Sequence, residues 1–450
     1  MKLWQTGAGS PDERVERFTA GEDVTLDAKL VYYDLCGTLA HVIGLERIGL
    51  LGPGDVAKLR VALQTLWDAG LNIRPQDEDV HTAVENALER ELGALGQKVH
   101  AGRSRNDQVL VDLRLYAKEG LHAVAHHALQ LARSLLGFAQ AHLFVPMPGV
   151  THTRQAMPSS LGLWAASFVE GLLESLVTVE AAYGLVDRCP LGAAAGYGVP
   201  LPLERERVAE LLGFAGVQAN ALNAISSRGK IDHALSSALG TVMLDLSRLA
   251  TDLIWYSSET LAFFELPEAF CTGSSIMPNK RNPDVLELVR AKAARVGAHA
   301  SQAFMLSCGR ISGYHRDHQE LKGPLVDSLE TTSYCLELSA LLVCELKVDE
   351  AALRAALRPE LFAVDRMLDH VHEGLPLRQA YREVKTHLDG LDVPDVERAL
   401  KARTHLGGPG NVGLDALDER VGQLEKAWGA RSKRCSDALE KLIRRSRVTV

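Results

Sequence analysis

The chain between Cys271 and Arg290 reads C-T-G-S-S-I-M-P-N-K-R-N-P-D-V-L-E-L-V-R, a polar stretch followed by one with apolar residues at regular spacing. Its first half is predicted to be a polar loop, because a glycine followed by two serines favours a mobile turn rich in hydroxyl groups. Asn282 followed by Pro283 predicts a helix start, with Asn282 as the N-cap and a proline φ that suits the first turn. Apolar residues then recur at helical spacing and predict one buried face, at Val285, Leu288, Val289, Ala293 and Val296.

The loop brings groups that favour negative charge close to the positive end of a helix dipole. These groups are Ser274, Ser275, Lys280 and Asn282. Hydroxyls, an ammonium and backbone N–H groups suit an anionic ligand or a transition state that gains negative charge. Taken in pieces, the string also fits an ordinary surface loop that precedes a helix. As a whole, G-S-S-I-M-P-N-K-R-N-P closely resembles the signature loop GSSxMPxKxNP of the fumarase/aspartase superfamily of fumarate-releasing lyases.

Composition limits the class of protein. A chain of 450 residues that is 46% hydrophobic is long enough for a large core and more than one domain. The formal charge of −8 is spread along the chain and leaves no basic patch suited to nucleic acid. Seven cysteines without a C-x-x-C pair favour free thiols in a reducing compartment, so a cytoplasmic protein is expected. We see no secretory signal and expect no apolar stretch long enough to span a bilayer, so no membrane partner is predicted.

Long helices are the main structural prediction. Apolar or small residues recur in steps of three and four over about 110–138, 161–186, 231–256 and 325–346, and a further helix begins near Pro283. Each long run covers about 25–35 residues, or roughly 40–50 Å. Such lengths with near-heptad spacing indicate an elongated all-α bundle that needs further chains along its length, and hence an oligomer. The predicted domains are helical: 1–104, a central bundle at 105–350 that carries the signature loop, and a small domain at 351–450.

Three further polar clusters lie between or beside the predicted helices. In Ala101–Gln108 the arginines are either carboxylate ligands or solvated residues at a helix start. In Gly149–Gln155 a histidine flanked by threonines suits general acid–base chemistry, although a structural histidine is the commoner case. In Tyr314–Lys322 the spacing of two histidines and an aspartate fits no strong zinc pattern, so no metal is predicted. The glycine-rich segment Gly192–Gly198 lacks the G-x-G-x-x-G order, which disfavours a dinucleotide cofactor.

These clusters together resemble the family of argininosuccinate lyases. The resemblance lies in S-R-N-D-Q from Ser104, G-x-T-H around His152, the signature loop, Y-x-x-D-x-Q-x-x-K from Tyr314, P-L-G near Leu191 and G-L-P-L-R-Q-A from Gly374. It covers essentially the whole chain in the same order. It implies an all-helical homotetramer of three-domain subunits, whose central helices form one bundle and whose active sites each gather loops from three subunits.

The resemblance also implies roles for individual residues. Ser274 matches the catalytic base, and His152 matches the histidine on the acid side of the reaction. Lys280 and Asn282 match groups that bind the substrate carboxylate and the intermediate, and Glu287 matches a glutamate that supports the histidine. The matched substrate contacts are Ser104, Arg105, Asn106, Thr151, Tyr314, Gln319 and Lys322. No cofactor and no metal are implied.

The expected reaction is the cleavage of argininosuccinate by β-elimination to arginine and fumarate. Several positions depart from the family pattern without removing a catalytic group: Val150, Thr153, Arg154, Asn223, Gly229, Asn279, Arg281 and Leu321. They leave open a sister lyase that releases fumarate from another N-succinyl compound, such as adenylosuccinate or an aminopolycarboxylate. A catalytically silent structural protein on the same scaffold is a third interpretation, which the presence of Ser274, His152 and Lys280 together disfavours.

Overall fold

The computed structural model describes residues 12–74 and 77–444, with side chains as far as Leu442. The predicted first domain therefore includes residues 1–11, 75 and 76, and the predicted last domain includes residues 445–450, all of which lie outside the described residues. The described N-terminal region is helical and contains α1 (Glu13–Ala20), α2 (Asp23–Asp27), α3 (Val31–Arg47), α4 (Pro53–Ala69), α5 (Val80–Leu92) and α6 (Ala94–Gln97).

The centre of the chain is built from long helices joined by short strand pairs. Its helices are α7 (Arg105–Ala141), α8 (Leu161–Val186), α9 (Arg205–Leu211), α10 (Ala221–Ser226), α11 (Arg228–Tyr256), α12 (Asp284–Ser307) and α13 (Lys322–Glu345). Its strands are β1 (Pro146–Thr151), β2 (Arg154–Ser160), β3 (Phe264–Glu265), β4 (Thr272–Gly273), β5 (Arg281–Asn282) and β6 (Lys347–Val348). Each strand pairs antiparallel with one other, as β1–β2, β3–β6 and β4–β5. The predicted all-α class with a long-helix bundle is confirmed.

The C-terminal region begins with short helices and ends with one long helix. Its helices are α14 (Glu350–Ala355), α15 (Ala363–His372), α16 (Leu377–Thr386), α17 (Val396–Lys401) and α18 (Leu414–Arg444). The last helix packs back along the central bundle, where Arg434 pairs with Asp187 at 2.7 Å and Arg133 of α7 pairs with Glu425 at 2.7 Å. Asp187 also pairs with the fully buried ammonium of Lys118 at 2.6 Å, so this one carboxylate connects α7, α8 and α18.

Helix α7 is the longest element and sets the dimensions of the bundle. It begins with a capping box, in which the Ser104 hydroxyl accepts the N–H of Asn106 at 3.3 Å and the Asp107 carboxylate accepts the N–H of Ser104 at 2.9 Å. Its 37 residues extend about 55 Å at 1.5 Å per residue. Buried residues recur every three or four positions along its whole length, so tertiary packing supports every turn.

The central helices run antiparallel and give the bundle two distinct ends. At one end, called here the pocket end, the first residues of α7, α11 and α13 come together, since Asn106, Arg228 and Lys322 line one pocket. The end of α12 also lies there, because the Cβ position of Gly229 faces the side chain of Ser307.

The other end, called here the hairpin end, holds the β1–β2 hairpin and the signature loop. There the aromatic rings of Phe138, Trp164 and Phe264 pack together near the end of α7 and the start of α8. Residues from the end of α11, from β5 and from β6 line a common cavity with Pro283, immediately before α12.

The buried face of α12 differs in part from the prediction. Its buried residues are Leu286, Val289, Val296 and Ala303, whereas Leu288 is 56% exposed. The prediction that Leu288 is buried within the subunit was therefore wrong. The reason is that α12 packs mainly on α11 and lies at the side of the bundle, which leaves much of its surface uncovered by this chain.

Helix α8 corrects another prediction. By length and composition it is apolar enough to cross a membrane, with a mean hydropathy of 1.3 over its most apolar window. The expectation that the chain contains no such stretch was wrong on these two criteria. More than half of that window is buried, and α8 packs between α7 and α11, as a core helix of a soluble protein does.

We predict that Gly162 is required where the hairpin joins α8. A Cβ added at Gly162 would lie 2.7 Å from the Cα and 2.8 Å from the carbonyl oxygen of Leu143, and backbone atoms cannot move aside as a side chain can. Gly162→Ala is expected to lower the free energy of unfolding by about 1–3 kcal/mol. The measurement is urea unfolding at fixed protein concentration.

The matched control is Gly137→Ala, since nothing lies within 4 Å of that Cβ position on the exposed side of α7. Alanine favours the helix by about 1 kcal/mol over glycine, so this variant is expected to be as stable as the parent or more stable. Equal effects of the two substitutions would contradict the close approach at Gly162.

Candidate active site

A polar pocket at the pocket end gathers residues from parts of the sequence that are far apart. It is lined by Asp23, Asp27, Glu78, Asp79, His81, Arg105, Asn106, Val109, Arg228, Tyr314, Arg316, Gln319 and Lys322. Five predicted substrate contacts are among these residues, namely Arg105, Asn106, Tyr314, Gln319 and Lys322. Ser104 lies beside the pocket, where its hydroxyl serves as the N-cap of α7.

Ion pairs fix the cations on one wall of this pocket. Arg105 lies 3.6 Å from a carboxylate oxygen of Glu78 and 3.5 Å from one of Asp79. Arg316 pairs with Glu78 at 3.1 Å and also donates to the carbonyl oxygen of Thr19. Glu78 has a φ of 70°, in the left-handed region that is costly for a residue with a side chain. Such strain is common at sites where a side chain must face a ligand.

The opposite wall is tied to the N-terminal helices. The buried ammonium of Lys322 contacts Asp27 at 2.5 Å and Asp23 at 2.8 Å. Burial raises the pKa of Asp23 above its ordinary value, and the charge of Lys322 offsets part of that effect. Gln319 donates from its amide to the carbonyl oxygen of Thr19 at 3.0 Å. The start of α13 and the α1–α2 segment therefore form one rigid surface.

A buried charge cluster supports the floor of the pocket. His81 contacts Asp34 at 2.7 Å and lies 3.7 Å from Asp112, and all three side chains are almost completely buried. Burial alone would lower the pKa of His81, but the negative charges of Asp34, Asp79 and Asp112 outweigh it and raise that pKa to about 10. Burial raises the pKa of Asp112 well above its ordinary value, and the charge of Asp34 adds to this effect. His81 is therefore charged at neutral pH.

At the hairpin end, the structure places His152 and Thr153 in a two-residue turn between β1 and β2. Their φ angles are 53° and 60°, both in the left-handed region, which is the geometry of a tight type I′ hairpin turn. Histidine is among the residue types enriched in this region, whereas β-branched Thr153 is unsuited to it. The sequence analysis missed this hairpin because its turn lacks the usual Asn-Gly signal. His152 and Thr151 are both exposed in this chain.

The signature loop closes as a second small hairpin. Thr272 pairs with Asn282 and Gly273 pairs with Arg281, so the loop between them is held at its base. The Ser274 hydroxyl accepts the backbone N–H groups of Ile276 at 3.3 Å and Met277 at 3.1 Å.

The helix start beyond this loop differs by one residue from the prediction. Asn282 is not the N-cap, because α12 begins at Asp284 and Pro283 occupies the cap position. The backbone of Asn282 is instead paired in β5, and its side-chain amide donates to the carbonyl oxygen of Gly273 at 3.5 Å. Lys280 is exposed immediately before β5, and Glu287 is exposed on the first turn of α12.

The pocket and the two loops lie far apart within one chain. Asn106 begins α7, whereas His152 follows its end, so about 55 Å of helix separates them. Ser274 precedes α12, whose far end reaches the pocket end after 24 residues, or about 36 Å. The described chain therefore brings five of the predicted substrate contacts together but holds the predicted catalytic residues at the other end.

Several residues that line the pocket were not predicted from the sequence, including Arg228, Arg316, Asp23 and Asp27. The only available signal was position, because Arg228 begins a long helix and Arg316 lies within a quoted motif. In that motif, His315 and Asp317 have different partners. His315 contacts the carbonyl oxygen of Ile311, and Asp317 pairs with Arg310 at 3.2 Å. Burial lowers the pKa of His318 to about 4, so this side chain is neutral at pH 7.

Sequence comparisons place this chain among known lyases. A family described as "Lyase" matches residues 55–297. An argininosuccinate lyase from Sorangium cellulosum is 47% identical over 94% of this chain and 98% of its own length. Argininosuccinate lyases from Thermotoga neapolitana and Phocaeicola vulgatus are 40% and 37% identical, over 85% and 94% of this chain and 97% and 95% of their own lengths.

Solved structures with the same fold are more distant in sequence. EDDS lyase in complex with formate covers 99% of this chain, and this chain covers 98% of it, with a TM-score of 0.83 and 22% identity. A class II fumarase from Schistosoma mansoni has a TM-score of 0.71 and 16% identity over 90% of this chain and 94% of its own. At these identities the likeness shows the fold alone.

We predict that the buried charge of His81 stabilises the protein in a pH-dependent way. Because the folded pKa of about 10 exceeds the ordinary value of 6.5, the contribution is complete below pH 6.5 and is lost as pH rises through 10. His81→Gln leaves Asp34 buried without its cation and should cost about 3–5 kcal/mol at pH 6. The free-energy difference from the parent should shrink above pH 10, measured by urea unfolding.

His41→Gln is the control for this measurement. Burial lowers the pKa of His41 to about 3, so its ring is neutral over the whole range and contacts the carbonyl oxygen of Ala101 at 2.9 Å. Its free-energy difference from the parent should be the same at pH 6 and above pH 10. A constant difference for His81→Gln as well would contradict a charged His81.

Proposed function

The chain belongs to the family of argininosuccinate lyases, and we propose on that premise that it cleaves argininosuccinate by β-elimination to arginine and fumarate. One structural observation gives this proposal its main support. Asn106, Tyr314, Gln319 and Lys322, which come from motifs about 210 residues apart, line a single polar pocket. The chemistry is that of a carbon–nitrogen lyase, and the amine product places it in arginine biosynthesis.

The difficult step is the removal of a weakly acidic proton from the carbon next to a succinyl carboxylate. We assign Ser274 as the base. A serine is a base only if its alkoxide is stabilised, and the Ser274 hydroxyl already accepts the N–H groups of Ile276 and Met277. The same donors remain in place after the proton has left. Lys280 adds a positive charge six residues further along the loop.

The intermediate carries extra negative charge on a group that is already anionic. Lys280, Asn282 and the N–H groups at the start of α12 suit this charge. Electrons then return from the carbanion to form the double bond of fumarate while the carbon–nitrogen bond breaks. His152, or a water that it holds, protonates the departing nitrogen, and Glu287 supports the histidine. No cofactor takes part in this scheme.

The exposure of the catalytic loop in one chain is consistent with a loop that closes over the substrate. Ser274 directly follows the short β4–β5 pair and Lys280 directly precedes its second strand, and residues 275–279 between them are exposed. Closure would exclude water and strengthen every electrostatic interaction with the intermediate. Ser104, Arg105, Asn106, Thr151, Tyr314, Gln319 and Lys322 are assigned to substrate binding.

A homotetramer with shared sites resolves the separation of pocket and loops. Within one chain, α7 holds the pocket about 55 Å from His152, which no loop movement can bridge. If the central helices of neighbouring subunits run in opposite directions, the hairpin end of one chain lies beside the pocket end of another. Large apolar side chains on the long helices are exposed as an interface requires: Val177, Leu244, Trp255, Leu288, Phe304, Met305, Tyr334 and Leu341.

We expect this enzyme to work in the cytoplasm. All seven cysteines are free thiols, including two that are exposed, Cys308 and Cys344. Exposed thiols persist in a reducing compartment.

We predict that argininosuccinate is the best substrate of a panel that includes adenylosuccinate and an aminopolycarboxylate such as N-succinyl ethylenediamine. The measurement is kcat/KM from fumarate absorbance. A higher kcat/KM with another adduct would assign the enzyme to a sister lyase. Absence of fumarate from every member would indicate a catalytically silent protein.

We predict that Ser274→Ala lowers kcat by several orders of magnitude, because this variant lacks the group that is proposed to accept the substrate's proton. The thermal midpoint should hardly change, because the exposed loop makes few packing contacts.

Ser275→Ala is the matched control for the loss of a hydroxyl from this loop, and its loss of kcat should be at most about tenfold. Comparable losses in the two variants would remove Ser274 from the role of base.

We predict that two inactive variants restore each other's activity when they share a tetramer. In Asn106→Ala the lesion lies at the pocket end, and in Ser274→Ala it lies at the hairpin end. If each site takes these residues from different chains, about a quarter of the sites in randomly mixed tetramers contain neither lesion. Co-refolding of the two proteins should therefore recover activity.

Each variant refolded alone is the control, and it should remain inactive. Mixing the folded proteins without unfolding should also recover little if subunits exchange slowly. No recovery in a sample that native mass spectrometry shows to contain mixed tetramers would rule out sites shared in this way.

A further inference from the structure

We propose that a groove between α7, α13 and α18 is a binding site for a basic α-amino acid. This side groove is a cavity of about 850 Å³, lined by residues within 119–134 of α7, 337–344 of α13 and 425–432 of α18. The described residues that line it are all different from those that line the polar pocket. Its volume lies in the range of small-molecule sites, and its role does not depend on the proposed lyase reaction.

The side groove is open because its walls carry small side chains. Helices α13 and α18 both pack on α7, which forms the floor. Ala123, Ala340 and Gly429 line the cavity. A Cβ added at Gly429 would meet no atom of the described chain within 4 Å, so this glycine faces open space. About 15 residues of α7, or roughly 22 Å of helix, are thereby left accessible to a ligand.

The side groove carries an excess of negative charge. Glu119, Glu337 and Glu425 line it, whereas only Arg133 does so among the lysines and arginines that the structure describes. Arg133 donates from Nε and Nη2 to the two oxygens of Glu425, at 2.9 and 2.7 Å, so this pair adds no net charge. Burial lowers the pKa of His122 to about 4, and its ring is therefore neutral at pH 7. The remaining two carboxylates favour a ligand with positive charge.

One aromatic residue of the side groove requires a hydrogen-bond acceptor. Trp428 lines the groove, and only 3% of its surface is exposed. Its ring packs edge-on against Tyr183 and His122. Its indole N–H is buried and has no hydrogen-bond partner within the described residues. Because buried donors normally have a partner, we expect a ligand in the groove to supply the acceptor, and a carboxylate is the strongest one available.

The order of these groups along the side groove matches the charges of a basic amino acid. Trp428 contacts His122, which is about one helical turn beyond Glu119 on α7. Glu337 lies further toward the hairpin end, because the α13 residue one turn before it contacts His127. A carboxylate of the protein therefore lies on each side of the indole along the axis of α7.

A basic α-amino acid satisfies all three positions. Its carboxylate accepts the indole N–H of Trp428, its α-ammonium faces Glu119, and its side-chain cation extends toward Glu337. Its methylene groups lie along the alanines of the walls. A neutral amino acid would leave Glu337 without a cation, and a diamine would leave Trp428 without an acceptor.

The test uses the full-length protein in its native assembly, since Leu341 of the side groove also belongs to the surface assigned above to subunit contacts. Calorimetry at fixed ionic strength measures the dissociation constants of L-lysine, L-norleucine and cadaverine. Norleucine is lysine without its side-chain ammonium, and cadaverine is lysine without its carboxylate. Lysine is the probe because arginine, a product of the proposed reaction, would also occupy the catalytic site.

Lysine should bind at one site per subunit. Norleucine should bind about two- to fivefold more weakly, as expected for the loss of one exposed ion pair. Cadaverine should bind about tenfold more weakly, because it offers no charged acceptor to the indole.

Two side-chain variants test the contacts. Trp428→Phe keeps an aromatic ring but lacks the N–H, so it should weaken lysine about tenfold and leave cadaverine unchanged. Glu337→Gln should weaken lysine about two- to fivefold. Its matched control is Glu345→Gln, the same change of charge on the same helix at a position outside the described lining, and it should leave lysine binding unchanged.

A filling variant tests the location. Gly429→Leu places a large side chain in the open space of the side groove and should abolish detectable lysine binding. Gly429→Ala adds one methyl group and should retain it. Both variants should be at least as stable as the parent, because glycine is the poorer helix former. Neither touches the proposed active site, so both should release fumarate from argininosuccinate as the parent does.

The proposal is overturned if the assembled parent protein shows no saturable binding of lysine, as it would if a neighbouring subunit covered the side groove. It is also overturned if norleucine or cadaverine binds as tightly as lysine, or if Gly429→Leu binds lysine as the parent does. Equal losses in Glu337→Gln and Glu345→Gln would indicate diffuse attraction to an acidic surface and would overturn it as well. Equal weakening of lysine and cadaverine by Trp428→Phe would contradict the contact between the carboxylate and the indole.

Discussion

The length of α7 is the constraint on which the rest of this structure depends. A capped helix of 37 residues is rigid over about 55 Å, so whatever precedes it and whatever follows it cannot meet. The proposed substrate contacts Arg105 and Asn106 lie at the start of α7, and the proposed acid–base residue His152 lies beyond its end. Each end of the bundle therefore holds only part of the proposed site. Exposed apolar side chains lie along the helices that connect the two ends. The proposed assembly with other chains would satisfy both requirements at once.

The two ends are built by different physical means. The pocket end is rigid because buried ion pairs join the N-terminal helices to α13, as with Lys322 and its two aspartates. Breaking one of these pairs would leave a buried charge uncompensated, so the wall resists rearrangement. The hairpin end relies on short strand pairs and on turns of unfavourable backbone geometry, as at His152 and Thr153. A rigid pocket and loops that are held only by short strand pairs suit the proposed mechanism, in which a lyase must enclose its substrate and then release two products.

Electrostatics links the buried cluster, the pocket and the reaction. His81 is charged because the carboxylates of Asp34 and Asp79 lie near it, and that charge lies under a pocket whose other cations are almost all paired. A substrate with three carboxylates requires positive charge, but fully paired cations offer little of it. Arg228 is the exception within the described pocket, since its buried Nε and Nη2 atoms have no hydrogen-bond partner there. In the signature loop, backbone N–H groups surround the Ser274 hydroxyl, and their partial positive charges need no counterion.

The sequence by itself determined the helices, their order and the family. Near-heptad spacing is a local property, so α7, α8, α11, α12 and α13 could be predicted to within a few residues, and motif residues could be matched one by one. Tertiary structure alone decided the rest. The β1–β2 hairpin has no Asn-Gly signal, and Asn282 is held in β5 because its strand partner lies ten residues earlier. Leu288 is exposed because the position of α12 in the bundle, and not its periodicity, sets which face is covered. Arg228 looks in sequence like any arginine at a helix start, since its lack of a partner depends on side chains brought together from three distant segments.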